Sequence, residues 1–318
     1  MNLTLRPVAP ETDLARMAEI WNAHVPGFTT VETLQENEQQ RPKDFVLQRV
    51  AAVDESDRVV GWSIAAHSPF AAAGRWLVRV VVEPAFERQG LGSRLYDEAL
   101  RFARAGGATR LDSDVRDDLP RGLRYAQQLG FAVDRHLFES VLNVERFAEA
   151  PFAAAISAAE GRGIRFSTMA EQGDGPEARR RLYELELSVN RDVPGYSSQG
   201  WDLPFERYSQ VVFEAPWYKP ETQLIALDGD RWVGMCALRY FEENGRRCMY
   251  HNITGVLPDQ RGMGLALALK VQAVRCARRF GVTEMRTDNY SENAPMLAIN
   301  RKLGYAPRPG KYNLIKML

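Results

Sequence analysis

Residues 261–266 have the types and spacing best suited to binding a phosphate. They read Arg-Gly-Met-Gly-Leu-Ala and lie between an extended stretch, 249–257, and a helical pattern over 265–280. Glycine at positions 262 and 264 lets the main chain approach a ligand closely. The helix that follows directs its unpaired N–H groups and the positive end of its dipole at an anion. The segment therefore predicts a site for a phosphate-bearing ligand that needs no lysine.

The surrounding sequence excludes two other kinds of glycine loop. A nucleotide-triphosphatase loop needs Gly-Lys followed by Ser or Thr, and a dinucleotide fingerprint needs three glycines in a parallel βαβ unit. Upstream, the hairpin turn signals Asp228-Gly229 and Asn244-Gly245 separate three extended runs. These runs are residues 223–227, 231–241 and 246–257. Antiparallel strands that lead into one glycine loop and one helix indicate a different architecture.

The Arg-x-x-Gly-x-Ala pattern, together with residues farther along the chain, resembles the signature of the GNAT acetyltransferase superfamily. The second part of the signature is a strand, a helix that begins at an asparagine, and a Gly-aromatic turn. Its residues are Thr287-Asp288-Asn289, Asn293, Met296, Ile299-Asn300 and Leu303-Gly304-Tyr305. The resemblance implies the α/β (α+β) class, with a mixed, mostly antiparallel twisted sheet flanked by helices.

The same pattern occurs twice in the chain. Residues 57–62 match residues 230–235 at a distance of 173 positions, and a second set matches at 174 positions. In that set Pro84, Gly90, Gly130 and Phe131 correspond to Pro258, Gly264, Gly304 and Tyr305. A steady register over more than a hundred residues predicts a duplicated domain. We expect two tandem GNAT-like domains, at 1–146 and 164–318, joined by a linker at 147–163.

The two copies differ at the positions that matter for a ligand. The first copy has Glu87 where the second has Arg261, and a carboxylate beside a pyrophosphate is unfavourable. The positions of Asn289, Asn293 and Asn300 hold Val115, Leu119 and Ala126 in the first copy. The domain at 1–146 is therefore predicted to be degenerate and the domain at 164–318 to be catalytic. A structural role, a weak CoA site and a share in the acceptor pocket stay open for the first copy.

The resemblance implies acetyl-CoA as co-substrate, with no metal. The pyrophosphate is expected on the loop residues Arg261, Gly262, Met263, Gly264, Leu265 and Ala266. In such proteins the strand before the loop splays from the next strand, and the pantetheine chain inserts into the gap. Val256 and Asn293 are the expected pantetheine contacts, with Asn289 and Asn300 in support. A backbone N–H around Gly255 or Val256 would polarise the thioester carbonyl.

The catalytic positions depart from the family pattern. The glutamate base that many members carry eleven positions before the loop arginine is Tyr250 here, followed by His251, and the usual tyrosine acid is Asn300. His251 is a candidate base because imidazole titrates near neutrality. Tyr250 and Tyr290 are further candidates. If the strand carries no bulge, Tyr250 shares the acceptor face and His251 points away, as an ordinary strand histidine.

The predicted function is transfer of an acetyl group from acetyl-CoA to an amine of a small molecule or peptide, by direct attack in a ternary complex. A longer acyl-CoA, a hydroxyl acceptor, and a CoA-binding pseudoenzyme or sensor remain alternatives. An aromatic run is either ordinary packing or an acceptor pocket. It contains Tyr196, Trp201, Phe205, Tyr208, Phe213, Trp217 and Tyr218.

Composition limits the other classes of function. Lysine plus arginine equals aspartate plus glutamate at 41 each, so no global field favours a nucleic-acid or membrane partner. The three cysteines lack metal-ligand spacing, which predicts a reduced, cytoplasmic protein. The longest apolar runs are too short to span a bilayer.

Overall fold

The computed structural model describes residues 3–25, 29–191, 193, 203–243 and 245–318. In chain order, the strands are β1 Thr4–Pro7, β2 Val46–Val53, β3 Val59–His67, β4 Arg75–Val82, β5 Arg110–Arg116, β6 Ala132–Asn143, β7 Ile164–Thr168, β8 Gln223–Asp228, β9 Arg231–Glu243, β10 Arg246–Val256, β11 Glu284–Tyr290, β12 Ala306–Pro307 and β13 Lys311–Met317. The helices are α1 Pro10–His24, α2 Val31–Gln39, α3 Leu91–Ala105, α4 Pro120–Gln128, α5 Ala153–Glu160, α6 Pro176–Asn190, α7 Phe205–Val212, α8 Leu265–Arg279 and α9 Ala294–Leu303.

The chain forms two compact units. The first combines Met1–Arg135 with Lys311–Leu318, and the second is His136–Gly310. These bounds differ from the sequence-based boundaries, 1–146, 147–163 and 164–318, at two strands. Residues 136–143 of β6 pair with β11 inside the second unit, and β13 pairs with β5 inside the first. Local sequence patterns do not record which distant strands pair, so this exchange was not expected.

The first unit contains a sheet with the order β1-β2-β3-β4-β5-β13. Its pairs are antiparallel except β4 and β5, which pair in parallel over Arg75–Leu77 and Arg110–Asp112. Helix α1 packs on one face, where Leu14 and Trp62 belong to one core cluster. Helix α3 packs on the other face. Covering both faces makes the central strands strongly apolar.

The second unit repeats this arrangement with the order β6-β11-β10-β9-β8-β7, where β6 contributes residues 136–143. Its parallel pair is β10 with β11, over residues 248–250 and 284–286. Helices α5 and α8 pack on one face, called the α8 face below. Helices α6 and α7 pack on the other face, called the α6 face.

The predicted hairpins and glycine-loop helix are confirmed. Strands β8, β9 and β10 lie where the extended runs were expected, and Gly229 and Gly245 have the positive φ values, 56° and 72°, that tight hairpin turns need. Helix α8 begins at Leu265 directly after the loop. The mixed α/β fold with two related units is confirmed as well.

Three features of the described residues concern the thiols, metal ligands and long apolar helices. Cys236, Cys248 and Cys276 are buried free thiols. Within the described ranges, no group of metal-ligating side chains comes together. In the same ranges, no helix has the length and apolar character needed to cross a bilayer.

Candidate functional site

The glycine loop lies between the end of β10 and the start of α8. Gly262 and Gly264 both adopt the left-handed conformation, with φ of 76° and 77°. A Cβ at either glycine would meet no heavy atom within 4 Å, so the space beside the loop is open. Glycine is used here because a side chain would be strained and would project into that space.

The backbone N–H groups of residues 262–267 are unoccupied. Among the described residues, none of these six groups donates a hydrogen bond to the protein. The first bond of the helix runs from the Ala268 N–H to the Gly264 carbonyl at 3.1 Å. An Arg162 guanidinium N–H donates to the Met263 carbonyl at 2.9 Å and helps to hold the loop. Free donors at the positive end of a fifteen-residue helix form a cradle for phosphate groups.

A gap opens between β10 and β11 next to this cradle. Their pairing ends at Tyr250 and Arg286, although β10 continues to Val256 and β11 to Tyr290. The Leu257 N–H donates to Val233 of β9 at 2.9 Å. Because successive strand residues direct their N–H groups to opposite edges, the Val256 N–H faces the gap. An extended ligand chain can therefore pair with the main chain at Val256.

The three predicted asparagines do not form one ligand-binding set. Asn300 Nδ2 donates to Asn289 Oδ1 at 2.6 Å, and Asn289 Nδ2 donates to Ser140 Oγ at 2.9 Å. Asn289 and Asn300 are both buried and join α9, β11 and β6. Asn293 caps α9, where its Oδ1 accepts a bond from the Met296 N–H at 3.3 Å. Asn289 and Asn300 thus link α9 and β11 to β6, and Asn293 lies at the N-terminus of α9.

His251 lies on the α8 face of β10, with its side chain in the core. A β-bulge leaves Asn252 unpaired, so His251 and Thr254 both point to the α8 face. The His251 side chain is buried, with Nε2 3.1 Å from Cys236 Sγ and hydrogen-bonded to Thr254 Oγ1. Burial, assisted by the Lys270 ammonium, holds the pKa of His251 well below its usual 6.5. A buried, neutral core histidine does not favour the role of base, which stays a prediction for His251.

Replacing His251 with glutamine should therefore leave the turnover number within about threefold of the original, whereas loss of a general base typically costs 10²–10⁴-fold. Glutamine can still bond Thr254, so the core keeps one polar contact. Steady-state kinetics with saturating donor check this expectation. A fall of about a hundredfold, with acetyl-CoA binding retained, would restore His251 as the base.

Tyr250 is placed on the α6 face. Met249 belongs to the core of the α8 face, so Tyr250, the next residue, points to the other side. Burial, together with the charge of the Asp288 carboxylate, raises the pKa of Tyr250 above its usual 10. Tyr250 therefore stays protonated. Tyr290 is half-buried at the end of β11, where its carbonyl accepts the Asn293 N–H at 3.0 Å.

Asp288 is a functional candidate that the sequence alone did not single out. It is exposed on the α6 face of β11, two residues beyond the last pair with β10. Its motif, Thr287-Asp288-Asn289, marked the strand but not the direction of each side chain. The alternating burial of the β11 side chains shows this direction, since Thr287 and Asn289 are buried and Asp288 is exposed.

The loop of the first unit has the same backbone conformation. Arg88 and Gly90 are left-handed, with φ of 61° and 77°, and α3 begins at Leu91. Within the described part of the chain, the N–H groups of residues 88–93 donate no hydrogen bond to the protein either. The backbone alone thus does not distinguish the two loops. The difference lies in side chains, beginning with Glu87 at the position of Arg261.

The corresponding gap in the first unit is closed by an ion pair. Strands β4 and β5 stop pairing at Leu77 and Asp112, and beyond that point the Arg79 guanidinium reaches across to Asp114. The ring of Trp21 lies 4.8 Å from the Arg79 guanidinium carbon and supports it. Asp114 corresponds to Asp288, 174 positions later. Among the described residues of the second unit no ion pair crosses the gap, and the side-chain contact between the two strands is a hydrogen bond from Thr287 Oγ1 to the His251 carbonyl at 3.1 Å.

A sequence model of the Acetyltransferase (GNAT) family matches residues 14–131 and again residues 155–305. The chain belongs to this acetyltransferase family. Membership in this family makes the protein an acyltransferase. The two matches in one chain make it a tandem member, as the duplicated motif predicted. The mycothiol acetyltransferase of Saccharomonospora viridis is 26% identical over 241 residues, which cover 74% of this chain and 72% of that protein.

Two solved structures share the fold over nearly the whole chain. A GCN5-related N-acetyltransferase from Sphaerobacter thermophilus has a TM-score of 0.69 at 20% identity and covers 99% of this chain and 95% of that one. A tandem GNAT protein from the clavulanic acid biosynthesis pathway has a TM-score of 0.67 at 18% identity, with 99% and 98% covered. At these identities the likeness concerns the fold.

Proposed function

We propose that the second unit transfers the acetyl group of acetyl-CoA to an amine of a small molecule or peptide, by direct attack in a ternary complex. The observation that carries the proposal is the row of free N–H groups at residues 262–267, next to an open gap between β10 and β11. Such a cradle suits a pyrophosphate. The gap suits the extended arm that follows the pyrophosphate in CoA.

Each part of the donor has a matching part of the site in this proposal. The pyrophosphate binds the main chain of residues 261–266, with Arg261 adding a positive charge at the edge. The pantetheine arm enters the gap beside Val256, and Asn293 flanks the entrance. The Val256 N–H, which faces the gap, polarises the thioester carbonyl and stabilises the oxyanion of the tetrahedral intermediate. The amine approaches from the α6 face, where Tyr250 and Asp288 lie.

The first unit is proposed to have a structural role. Glu87 would repel a pyrophosphate, and the Arg79–Asp114 ion pair occupies the gap that a pantetheine arm would need. The Tyr125 hydroxyl oxygen also lies 3.2 Å from the position of a Cβ on Gly92, in the first turn of α3. These contacts support assigning the acetyl transfer to the second unit.

Charge reversal at the loop tests the proposal. Arg261→Glu copies the natural Glu87 of the first unit and is expected to raise KM for acetyl-CoA by about tenfold or more, since it places a carboxylate against the pyrophosphate. The measurement is release of free CoA thiol from acetyl-CoA in the presence of a panel of primary amines. Arg104→Glu, the same change on an exposed position of the first unit, should leave KM unchanged.

The same assay separates catalysis from a binding-only role. If native mass spectrometry shows tight binding of acetyl-CoA and no amine, peptide or alcohol accelerates thiol release, a CoA sensor replaces the proposed transferase. Faster release of free CoA thiol with a longer acyl-CoA than with acetyl-CoA would show that the longer acyl-CoA is the preferred donor.

A further inference from the structure

We infer that Asp288 is the carboxylate that binds the acceptor's ammonium group and takes its proton, so that the acceptor is a cationic amine. The inference rests on the proposed function and deepens it. Asp288 is exposed on the α6 face, just past the point where β10 and β11 separate. Any group that reaches a thioester in the gap from this face passes the carboxylate.

The surrounding charges leave Asp288 without a cation. Directly opposite it on β6 is Glu139, its Cα partner, and like charges in that arrangement are destabilising. Glu139 has a partner, because Arg308 donates to its Oε1 at 3.0 Å. Arg286 binds Glu243 at 2.5 Å and Glu284 at 2.6 Å. Among the described residues no arginine, lysine or histidine lies within ion-pair distance of Asp288.

The environment also perturbs Glu139. Burial raises the pKa of its carboxyl group, and the charge of Asp288 raises it further, against the opposing effect of Arg286 and Arg308. A positive group placed between Asp288 and Glu139 would relieve this repulsion. The acceptor side of the gap is therefore suited to a cation and unsuited to an anion.

The first unit has a cation of its own at the corresponding position. Asp114 has the same place on β5 that Asp288 has on β11, and it holds the Arg79 guanidinium across the gap. In the second unit the corresponding part of β10 carries Asn252 and Ile253, which have no charge. In the first unit, the chain's own Arg79 thus pairs with the carboxylate at this position. In the second unit, the corresponding carboxylate, Asp288, is left for a cation of the ligand.

The reaction then balances without a further co-reactant. An ammonium proton moves to the Asp288 carboxylate, and the freed nitrogen lone pair attacks the acetyl carbonyl carbon. The C–S bond breaks, the CoA thiolate leaves with the electron pair, and a second proton from the attacking nitrogen ends on its sulfur. The proton on Asp288 returns to solvent.

A pair of probes that differ in charge tests the inference. They are 6-aminohexanamide and 6-aminohexanoate, in which the reacting amine is the same and one probe adds a carboxylate. The original protein should acetylate the amide with a kcat/KM about tenfold higher, because like charges repel near Asp288 and Glu139. Asp288→Asn should lower kcat for the amide by about a hundredfold or more, as loss of a base does, with acetyl-CoA binding unchanged by native mass spectrometry.

Two variants serve as controls. Asp288→Glu keeps a carboxylate and should retain activity within about tenfold of the original, whereas asparagine should not. Glu243→Gln removes a carboxylate that is already paired with Arg286 and should change neither rate nor preference. If the original protein acetylates these amines and Asp288→Asn does so equally well, the inference is overturned while the proposed function stands. If the original protein acetylates no amine, the proposed function itself fails.

Discussion

Replacing Gly264 with tryptophan is expected to lower kcat/KM for acetyl-CoA by about a hundredfold or more, which corresponds to roughly 3 kcal/mol of lost transition-state stabilisation. A side chain at this position projects into open space rather than into the protein. The fold can therefore accommodate the indole, but the pyrophosphate can no longer reach the free N–H groups of residues 262–267. Thiol-release kinetics measure the loss.

Gly90→Trp is a closely matched control. Gly90 and Gly264 both have φ of 77°, both precede a fifteen-residue helix, and both have no atom within 4 Å of a built Cβ. The backbone strain of a left-handed non-glycine residue, about 1–2 kcal/mol, is thus the same in both variants. Native mass spectrometry should show one acetyl-CoA bound per chain in the original protein and in Gly90→Trp, and none in Gly264→Trp. The reverse pattern would assign the donor site to the first unit.

Replacing Lys270 with methionine is expected to raise the free energy of unfolding of the second unit at pH 7. Lys270 is buried on α8, with Nζ 5.1 Å from the centre of the Tyr305 ring, and none of the described carboxylates pairs with it. Burial lowers its pKa from 10.5 to about 8, while Cys236 acts weakly in the other direction. A shift of that size corresponds to about 3 kcal/mol of destabilisation when the group is charged.

The effect of Lys270 on stability has a definite pH dependence. Its pKa is lower in the folded state, so the unfolded state binds more protons between about pH 8 and pH 10.5. Stability therefore rises with pH across that window, and the penalty is complete below pH 8. Methionine removes the penalty without leaving a cavity. The gain of the variant should be about 1–3 kcal/mol at pH 7 and should largely vanish near pH 10.5.

Urea unfolding at the two pH values checks this, with Lys316→Met as the contrast. Lys316 also lies over a tyrosine ring, that of Tyr96 at 5.3 Å, but its Nζ donates to the Tyr96 hydroxyl at 3.0 Å and to the Leu129 carbonyl at 2.6 Å. Its replacement should destabilise the first unit, since two hydrogen bonds are lost. A Lys270→Met variant that is less stable at pH 7 would mean that a buried partner satisfies the ammonium.

The glycine loop and the elements around it were largely predictable from sequence because their features are local. Glycines at 262 and 264, the hairpin turns before them and the apolar period of α8 all act over a few residues. These features determine a loop conformation that the structure shows in detail. The second occurrence of the pattern, 174 positions earlier, likewise indicated a duplication that the family matches confirm.

The acceptor side was not predictable in the same way. His251 was a candidate base by residue type, but it follows the regular alternation of β10 from Met249 into the core of the α8 face, and the bulge at Asn252 affects only the residues after it. Asn289 and Asn300 were expected to face a ligand and instead bond each other. Asp288 became a candidate only because it lies beside the gap between β10 and β11 and opposite the charges of β6.

The sequence by itself determined the family, the duplicated architecture and the conformation of the glycine loop, since each depends on short-range periodicity and on glycine's backbone freedom. Tertiary structure alone decided the exchange of β6 and β13 between the compact units, the face on which each strand side chain lies, and which gap an arginine closes. Those outcomes depend on pairing between strands far apart in the chain. A one-residue bulge is enough to change which side chains share a face, and local sequence preference does not determine where it falls.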